Sequence, residues 1–230
     1  MFKIRPSAIS LIMTEPKTKA AKEAGELSQT AKTYCENWLK EKLYNRSKEF
    51  TSKYTDKGIE VECDAIGFIA EQLNLGLVFK NEERFENEFM AGTPDLILAD
   101  CVIDNKSSWD CFTFPLFAEK PDKAYWWQLQ GYMALTGKDN AKLIYTLMNT
   151  PEWIIDNEVE KELRMNGVDL NEVTMEVRQE MSARYRYDDL KPSLRLKMYD
   201  FSRDNDAVEQ IHQQVIKCRK YIEFLTNQIK

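Results

Sequence analysis

Histidine is almost absent from this chain of 230 residues, since His212 is the only one. Ser-His-Asp triads, Cys-His pairs and multi-histidine metal sites all need imidazole groups, so these catalytic designs are almost excluded. The chemistry that remains for a hydrolytic site uses carboxylates, lysine and a hard cation such as Mg²⁺.

Paired cysteines and long apolar runs are missing as well. No Cys-x-x-Cys pair occurs, which argues against a zinc ribbon or an iron–sulfur cluster and favours reduced, mostly buried thiols at Cys35, Cys63, Cys101, Cys111 and Cys218. No stretch reaches the roughly 18 uncharged apolar residues of a membrane span. The first residues also lack the apolar run and cleavage site of a signal peptide. We therefore expect a cytoplasmic protein with no membrane partner.

The net charge of −6 is unevenly distributed along the chain. Residues 1–57 carry a net charge of +5, and residues 58–230 carry −11. A basic N-terminal portion can contact phosphate groups, although a solvated helical surface explains the same charges. The length and the 43% hydrophobic fraction suit a single domain over residues 1–230. We divide it into a basic helical portion (1–57), a catalytic core (58–150) and a helical C-terminal elaboration (151–230).

Periodicity in the first half predicts helices followed by strands. Ser28 is a candidate N-cap for a helix that runs toward Tyr44, and the segment TSKYTDKG is expected to form a loop. From residue 58 to 73, positions 59, 62, 66, 69 and 73 share one helical stripe, which places Glu62 among core-facing residues and turns Glu60 to solvent. The runs RFENEFM, PDLILA and CVIDNKS are predicted to be three strands of a meander, with a turn at residues 91–93.

The second half continues this alternation. Asp104 and Lys106 lie two residues apart on the third strand and therefore point to one face, while Ile103 points to the other. A helix follows over DKAYWWQLQGYMAL, with positions 125, 128, 132 and 135 on one face, and then a buried strand at KLIYTLM. The remaining elements are a helix at NEVTMEVRQEMSARY, a strand at LRLKMYDF and a final amphipathic helix carrying Val208, Ile211, Val215, Ile222 and Leu225. This order predicts an α/β fold with a mixed central β-sheet flanked by helices.

Four residues of the core suit phosphodiester hydrolysis, which needs a cation held by acidic oxygens, an activated water and positive charge near the phosphate. Asp95 and Asp104 supply carboxylates from neighbouring strands, Lys106 supplies an ammonium group, and Glu62 supplies a third carboxylate from the preceding helix. Each residue alone has an ordinary explanation. Asp95 can be a turn or strand-end residue, Lys106 an exposed strand lysine, and Glu62 the partner of an arginine. Their occurrence in one consistent order favours a metal-dependent nuclease.

This order resembles the PD-(D/E)xK nuclease superfamily, with Glu62, Pro94-Asp95 and Asp104-Asn105-Lys106 in the matching places. The segment WQLQGY looks like the Gln-x-x-x-Tyr motif of the RecB-like branch, in the positions of residues 128 and 132. The segments KGIEVE, ENEFMAGTPDLI, KSSW and YWWQLQGYM are similar to lambda-type and YqaJ-like phage exonucleases. The resemblance covers residues 58–150 and implies a restriction-endonuclease-like core.

The resemblance also implies roles for individual residues. Glu62, Asp95, Asp104 and the backbone carbonyl of Asn105 would hold one or two Mg²⁺ ions, for which Mn²⁺ substitutes. Lys106 would act on the attacking water and the scissile phosphate. Many relatives have glutamate in place of Asp104. The side chain of aspartate is shorter than that of glutamate, which leaves the metal geometry open.

Further positions would contact DNA or support the site. Gln128 would contact the substrate or the water near the metal, and Tyr132 would pack behind it, although both also fit an ordinary helix core. Lambda-type exonucleases hold a 5′-phosphate with an arginine and serines near the N-terminus. The candidates here are Arg5, Ser7 and Ser10, loosely matched and equally explained as a plain helix start, with Ser107 and Ser108 as alternative phosphate donors.

The function implied by the resemblance is a Mg²⁺-dependent exonuclease that digests double-stranded DNA from its ends in the 5′ to 3′ direction. The resulting single strands would serve an annealing protein in phage recombination, in the cytoplasm of a bacterial host. A homo-oligomer, often a trimeric ring, is also implied. Two alternatives are an endonuclease or flap-type nuclease on the same fold, and a non-catalytic DNA-binding or assembly protein.

Overall fold

The computed structural model describes residues 1–48, 52–169 and 173–229. Within these ranges the helices are α1 (Ile9–Ile12), α2 (Lys19–Glu23), α3 (Gln29–Tyr44), α4 (Lys53–Glu60), α5 (Glu62–Gln72), α6 (Lys123–Thr136), α7 (Glu152–Met165), α8 (Met175–Ala183) and α9 (Asn205–Ile229). The strands are β1 (Phe85–Glu86), β2 (Ala91–Gly92), β3 (Leu96–Ile97), β4 (Cys101–Ser107), β5 (Asn140–Thr146) and β6 (Leu196–Ser202).

The central sheet has the strand order β3-β4-β5-β6. β4 and β5 are parallel, whereas β3 and β6 pair antiparallel at the two sides. Helix α6 connects the two parallel strands, because parallel neighbours need a crossover connection. The predicted α/β fold with a mixed central sheet flanked by helices is confirmed.

Each face of β4 packs against a different helix. Ile103 lies in an apolar cluster with Ile66 of α5, and Val102 lies in a second cluster with Leu129 of α6. Burial of each such side chain contributes about 1.5–3 kcal/mol. Since alternate strand residues share a face, Asp104 points toward α6, as the spacing predicted.

A third layer forms where the N-terminal segment and α9 pack on the outer side of α6. Its buried members include Phe2, Ile4, Ile9, Ile12, Ala31, Cys35, Leu39, Trp127, Ile211, Val215 and Cys218. A Cβ on Gly131 would lie 2.5 Å from Ile9 Cδ1 and 3.3 Å from Pro6 Cβ. The close approach of the N-terminal segment to α6 therefore requires glycine at this position.

The segment TSKYTDKG is not a loop, because residues from Lys53 onward form α4. Thr51 lies outside the described residues. Ser52 Oγ accepts a hydrogen bond from the main-chain N–H of Thr55 at 3.2 Å. This N-cap satisfies a free donor at the helix start, so a short polar segment can become helical. The loop prediction was wrong because it overlooked Ser52 as the N-cap of α4.

The predicted helical stripe of residues 59–73 is interrupted at Val61. Helix α4 ends one residue before it and α5 begins one residue after it. Ile59 is consequently 66% exposed, whereas Val61 is buried. Glu60 is exposed, as expected, and Glu62 opens α5 rather than lying in the middle of a longer helix.

The predicted meander of three strands is right for its second and third strands, since β3 and β4 pair antiparallel, and wrong for its first. β1 and β2 pair in a separate two-stranded sheet. Asn87 Oδ1 accepts hydrogen bonds from the main-chain N–H groups of Phe89 (2.9 Å) and Met90 (2.8 Å). This asparagine turn lies inside RFENEFM, which was predicted to be one strand. Residues 91 and 92, which were predicted to be in a turn, form strand β2.

The remaining predicted elements match the structure. They are α3 with its Ser28 cap, β4, α6, β5, β6 and α9. The helix predicted from residue 171 forms as α8, although residues 171–172 lie outside the described part. None of the helices that the structure describes is long and apolar enough to cross a membrane. Three cysteines are buried, whereas Cys63 and Cys111 are exposed.

Candidate active site

The carboxyl end of β4 opens into a cavity of about 640 Å³. The cavity is lined by residues of α4, by Glu62 at the start of α5, by Asp95 beside β3, and by β4 with the residues that follow it. Tyr125 of α6 and Tyr145 of β5 complete the lining. Six residues singled out from the sequence line the cavity, namely Glu62, Asp95, Asn105, Lys106, Ser107 and Ser108. Asp104 lies behind these residues, where it contacts both Lys106 and Gln128.

Asp104 is the most deeply buried carboxylate of the group, with 1% of the residue exposed. Its Oδ1 accepts a hydrogen bond from Gln128 Nε2 at 2.7 Å, and its Oδ2 forms an ion pair with Lys106 Nζ at 2.8 Å. Apart from this ion pair, Oδ2 has no hydrogen-bond partner among the described residues. Burial raises the pKa of Asp104 despite the neighbouring ammonium group.

Asp95 stands beside Asp104 at the start of β3. Its Oδ2 accepts a hydrogen bond from the main-chain N–H of Asn105 at 2.7 Å, which ties β3 to β4. Burial, and then the charge of Asp104, raise the pKa of Asp95 to about 7. The preceding Pro94 is buried, and its carbonyl accepts a hydrogen bond from Asn81 Nδ2 at 3.0 Å. The two aspartates are therefore a mutually repelling pair that added positive charge would stabilise.

Lys106 supplies positive charge on the cavity side of this pair. Burial opposes its charge, but the carboxylates of Asp104 and Asp95 outweigh burial and raise the pKa of Lys106. Its Nζ also lies 5.2 Å from the centre of the Tyr125 ring. Lys106 therefore carries a proton at neutral pH and stays close to both carboxylates.

Glu62 lines the cavity, and its Oε2 forms an ion pair with Lys80 Nζ at 2.5 Å. Within the described part of the chain, no three side chains among His, Cys, Asp and Glu are grouped so as to hold a metal ion. The donor set nevertheless fits a hard cation at Asp95 and Asp104, because carboxylate oxygens are the ligands that Mg²⁺ prefers and the buried Oδ2 of Asp104 has no partner other than the Lys106 ammonium group among the described residues.

Gln128 and Tyr132 support this pair from α6, one helical turn apart. Gln128 donates to Asp104, and the Tyr132 hydroxyl donates to the carbonyl oxygen of Thr93 at 3.2 Å, just before Asp95. Burial raises the pKa of Tyr132. Both side chains therefore hold the strands that carry the two aspartates.

The chain is similar to exonucleases of known structure. No family model and no curated protein matches the chain. The chain shares 30% sequence identity with a phage-related exonuclease from Haemophilus somnus 129PT, whose crystal structure is known. The match covers 100% of this chain and 97% of that one, with a TM-score of 0.78. The chain belongs to the phage-related exonuclease family. Two structures of an alkaline exonuclease from Laribacter hongkongensis, one in complex with dAMP, share 15% identity over 99% of this chain and 93% of theirs. Their TM-scores of 0.64 and 0.65 support the fold.

Within this member of the phage-related exonuclease family, the two groups of predicted phosphate donors lie in different places. Ser107 and Ser108 line the cavity, and the main-chain N–H of Ser108 donates to Thr146 at 2.8 Å. Arg5 and Ser7 are exposed beside the 3-10 turn Pro6–Ala8, and neither lines the cavity.

The sequence interpretation missed the aromatic part of the cavity wall. Tyr54, Trp109 and Tyr145 line it, and Tyr54 lies in the segment that was predicted to be a loop. Lys80 was also missed, because it lies in an extended segment without any periodic pattern. The signal that could have placed Tyr54 is the Ser52 cap, since a helix starting there puts residues 54 and 58 on one face.

Proposed function

We propose that this member of the phage-related exonuclease family is a Mg²⁺-dependent exonuclease that digests double-stranded DNA from its ends in the 5′ to 3′ direction. One observation carries the proposal. Asp95 and Lys106 line one cavity, with Asp104 directly behind Lys106, in a chain that is similar to a phage-related exonuclease over its full length.

The cation would be held by Asp95 and Asp104, with Glu62 and the backbone carbonyl of Asn105 as further oxygen donors. When bound, Mg²⁺ lowers the pKa of a water molecule and neutralises charge on the phosphate. Mn²⁺, which takes the same oxygen ligands, is expected to substitute. The buried Oδ2 of Asp104, which has only the Lys106 ammonium group beside it among the described residues, and the raised pKa of Asp95 support this assignment.

The protein groups would then position the reacting atoms. The Lys106 ammonium, held by Asp104, would place a fixed positive charge beside the scissile phosphate and orient the attacking water. Gln128 would keep the Asp104 carboxylate in one orientation through its 2.7 Å hydrogen bond. Tyr132 would hold the chain segment that leads to Asp95, through its hydrogen bond to the carbonyl oxygen of Thr93. Both residues of the Gln-x-x-x-Tyr motif would then support the site. Ser107 and Ser108 are the candidate phosphate donors that line the cavity.

We further propose that the products serve phage recombination. Resection of a double-stranded end leaves a single strand, which is the substrate that an annealing protein needs. The phage-related relative supports this setting. A homo-oligomer that encircles the duplex would keep the site on one strand between successive cuts.

Linear and circular DNA test the mode of digestion. Linear duplexes closed by a hairpin at one end and carrying a 5′-phosphate or a 5′-hydroxyl at the other are incubated with Mg²⁺ or with EDTA, and the products are sized. With a label at the 3′ end, we expect the labelled strand to shorten progressively with Mg²⁺, no digestion with EDTA, and no cutting of closed circular plasmid. Immediate release of the label would show digestion from the 3′ end. Cutting of the circle would instead identify an endonuclease, and digestion in EDTA would contradict the metal requirement.

Replacement of Lys106 tests the site itself. Lys106→Ala is expected to lower the rate of digestion by about 100-fold or more, because a fixed charge at the phosphate is lost. Lys142→Ala is a matched control, since Lys142 lies on the neighbouring strand β5 in an ion pair with Asp200 and its side chain is 29% exposed, against 28% for Lys106. Circular dichroism establishes that both variants fold. Digestion by folded Lys106→Ala at the wild-type rate would contradict the assignment.

A further inference from the structure

An exposed tyrosine lines the same cavity as Asp95 and Lys106. Tyr54 lies in the first turn of α4, lines the cavity and is 57% exposed. An aromatic ring carries a large apolar surface, and burying that surface is favourable. A tyrosine kept open to a polar cavity is therefore a candidate contact for a planar ligand.

The ring is held in place by its neighbours. Trp109 meets Tyr54 edge to face, with the ring centres 5.1 Å apart and the planes at 73°. Lys53 Nζ lies 5.5 Å from the centre of the Tyr54 ring and 4.7 Å from that of Trp109, and it forms an ion pair with Glu158 at 2.5 Å. The tyrosine therefore has a fixed aromatic and cationic support beside it.

The support is itself anchored by a buried lysine. Lys57 is 1% exposed, and its Nζ donates to the carbonyl oxygen of Trp109 at 2.7 Å. The ammonium group also lies 5.5 Å from the centre of the Tyr187 ring. Lysine is almost never fully buried without a partner, so this contact links α4 firmly to the segment that follows β4.

We propose that Tyr54 stacks against the nucleobase of the terminal nucleotide of the digested strand, with Trp109 as its support. The inference rests on the proposed function. A cavity of about 640 Å³ lies within the roughly 300–1,000 Å³ usual for small-ligand pockets, and its wall contains both Tyr54 and the phosphate-facing Lys106. Stacking also tolerates any base, because every base has a π-face, and an exonuclease meets all four.

A terminal abasic nucleotide tests this subsite. Two linear duplexes differ only in that the first nucleotide of the digested strand carries a base or a tetrahydrofuran ring, with its phosphate kept. Initial rates give kcat/KM for removal of that nucleotide by the wild type, Tyr54→Ala and Tyr54→Phe. Tyr44→Ala is the matched control, because Tyr44 is 70% exposed at the end of α3 and does not line the cavity.

The wild type is expected to lose about 5- to 150-fold in kcat/KM on the abasic end, which is the range for one stacked base. Tyr54→Ala should show a similar loss on the normal end and no further loss on the abasic end. Tyr54→Phe and Tyr44→Ala should behave like the wild type. This pattern separates stacking from a structural role, which would slow both substrates by the same factor.

Two results would overturn the inference while the proposed function stands. One is equal digestion of both ends by the wild type, and the other is an equal loss on both ends in Tyr54→Ala. Failure of the wild type to digest either duplex would overturn the proposed function, and this inference with it.

Discussion

Asp95→Asn should stabilise the metal-free protein at alkaline pH. In the wild type, burial and the neighbouring Asp104 raise the pKa of Asp95 from its ordinary 3.8 to about 7. The folded protein therefore binds a proton more tightly than the unfolded chain does. Stability is then highest at acidic pH and falls as the pH rises from about 4 to about 7, where Asp95 loses its proton in the folded state.

The size of the effect follows from the same values. Each unit of pKa difference corresponds to about 1.4 kcal/mol, so the interval from 3.8 to about 7 sets an upper value of roughly 4 kcal/mol at pH 8. Asparagine keeps an oxygen that accepts from the main-chain N–H of Asn105 and carries no charge. We expect Asp95→Asn to gain on the order of 2–4 kcal/mol relative to the wild type between pH 5 and pH 8.

Urea unfolding in EDTA at pH 5, 6, 7 and 8, followed by circular dichroism, measures this difference. Asp188→Asn is the control, because Asp188 is exposed and lies outside the cavity. Added Mg²⁺ should stabilise the wild type more than Asp95→Asn, since a ligand that binds only the folded state stabilises it by mass action. A variant that follows the wild-type pH profile in EDTA would refute the reasoning that Asp95 is a buried, repelled carboxylate.

Two further predictions concern the support of the fold. Burial lowers the pKa of Lys57 to about 8, so the folded state disfavours its proton and the wild type should gain stability as the pH rises from 8 toward 10.5. Urea unfolding at pH 7.5 and pH 10 measures this increase in the free energy of unfolding. In Lys57→Met we expect the increase to be smaller by on the order of 1–3 kcal/mol, because the titrating ammonium group is gone. An equal increase in both proteins would contradict the burial of the charge. Gly131→Ala should lose about 1–3 kcal/mol, because the new Cβ would lie 2.5 Å from Ile9 Cδ1. Gly67→Ala, in α5 with no atom within 4 Å of the new Cβ, should instead gain about 0.5–1 kcal/mol, and equal unfolding midpoints for the two variants would contradict the packing argument.

Strand β4, which carries Asp104 and Lys106, was predictable because its pattern is local. The alternation in CVIDNKS fixes which face Ile103 and Asp104 occupy, whatever their partners are. The three-residue and four-residue steps in α6 likewise place Gln128 and Tyr132 on one face. Each of these elements is long enough for the period of the hydrophobic pattern to show.

The errors fall where one side chain overrides a weak pattern. Asn87 turns the chain inside a run that alternates like a strand, and Ser52 starts a helix in a polar run that looks like a loop. The Glu62–Lys80 ion pair joins α5 to an extended segment. Contacts between such distant and irregular segments depend on tertiary packing, which a single sequence does not display.

The sheet that carries Asp104 and Lys106 is completed by a strand that lies far along the chain from its neighbour, because β6 follows β5 only after helices α7 and α8. β6 pairs along the whole of β5, and α9 covers α6 together with the N-terminal segment. A ribosome therefore produces the aspartates, Lys106 and Gln128 well before the segments that close the sheet edge and bury the back of α6. Until residues 196–229 emerge, β5 keeps an open edge and α6 an uncovered apolar face. We expect the sheet and the covered face of α6 to form only after residues 196–229 have left the ribosome.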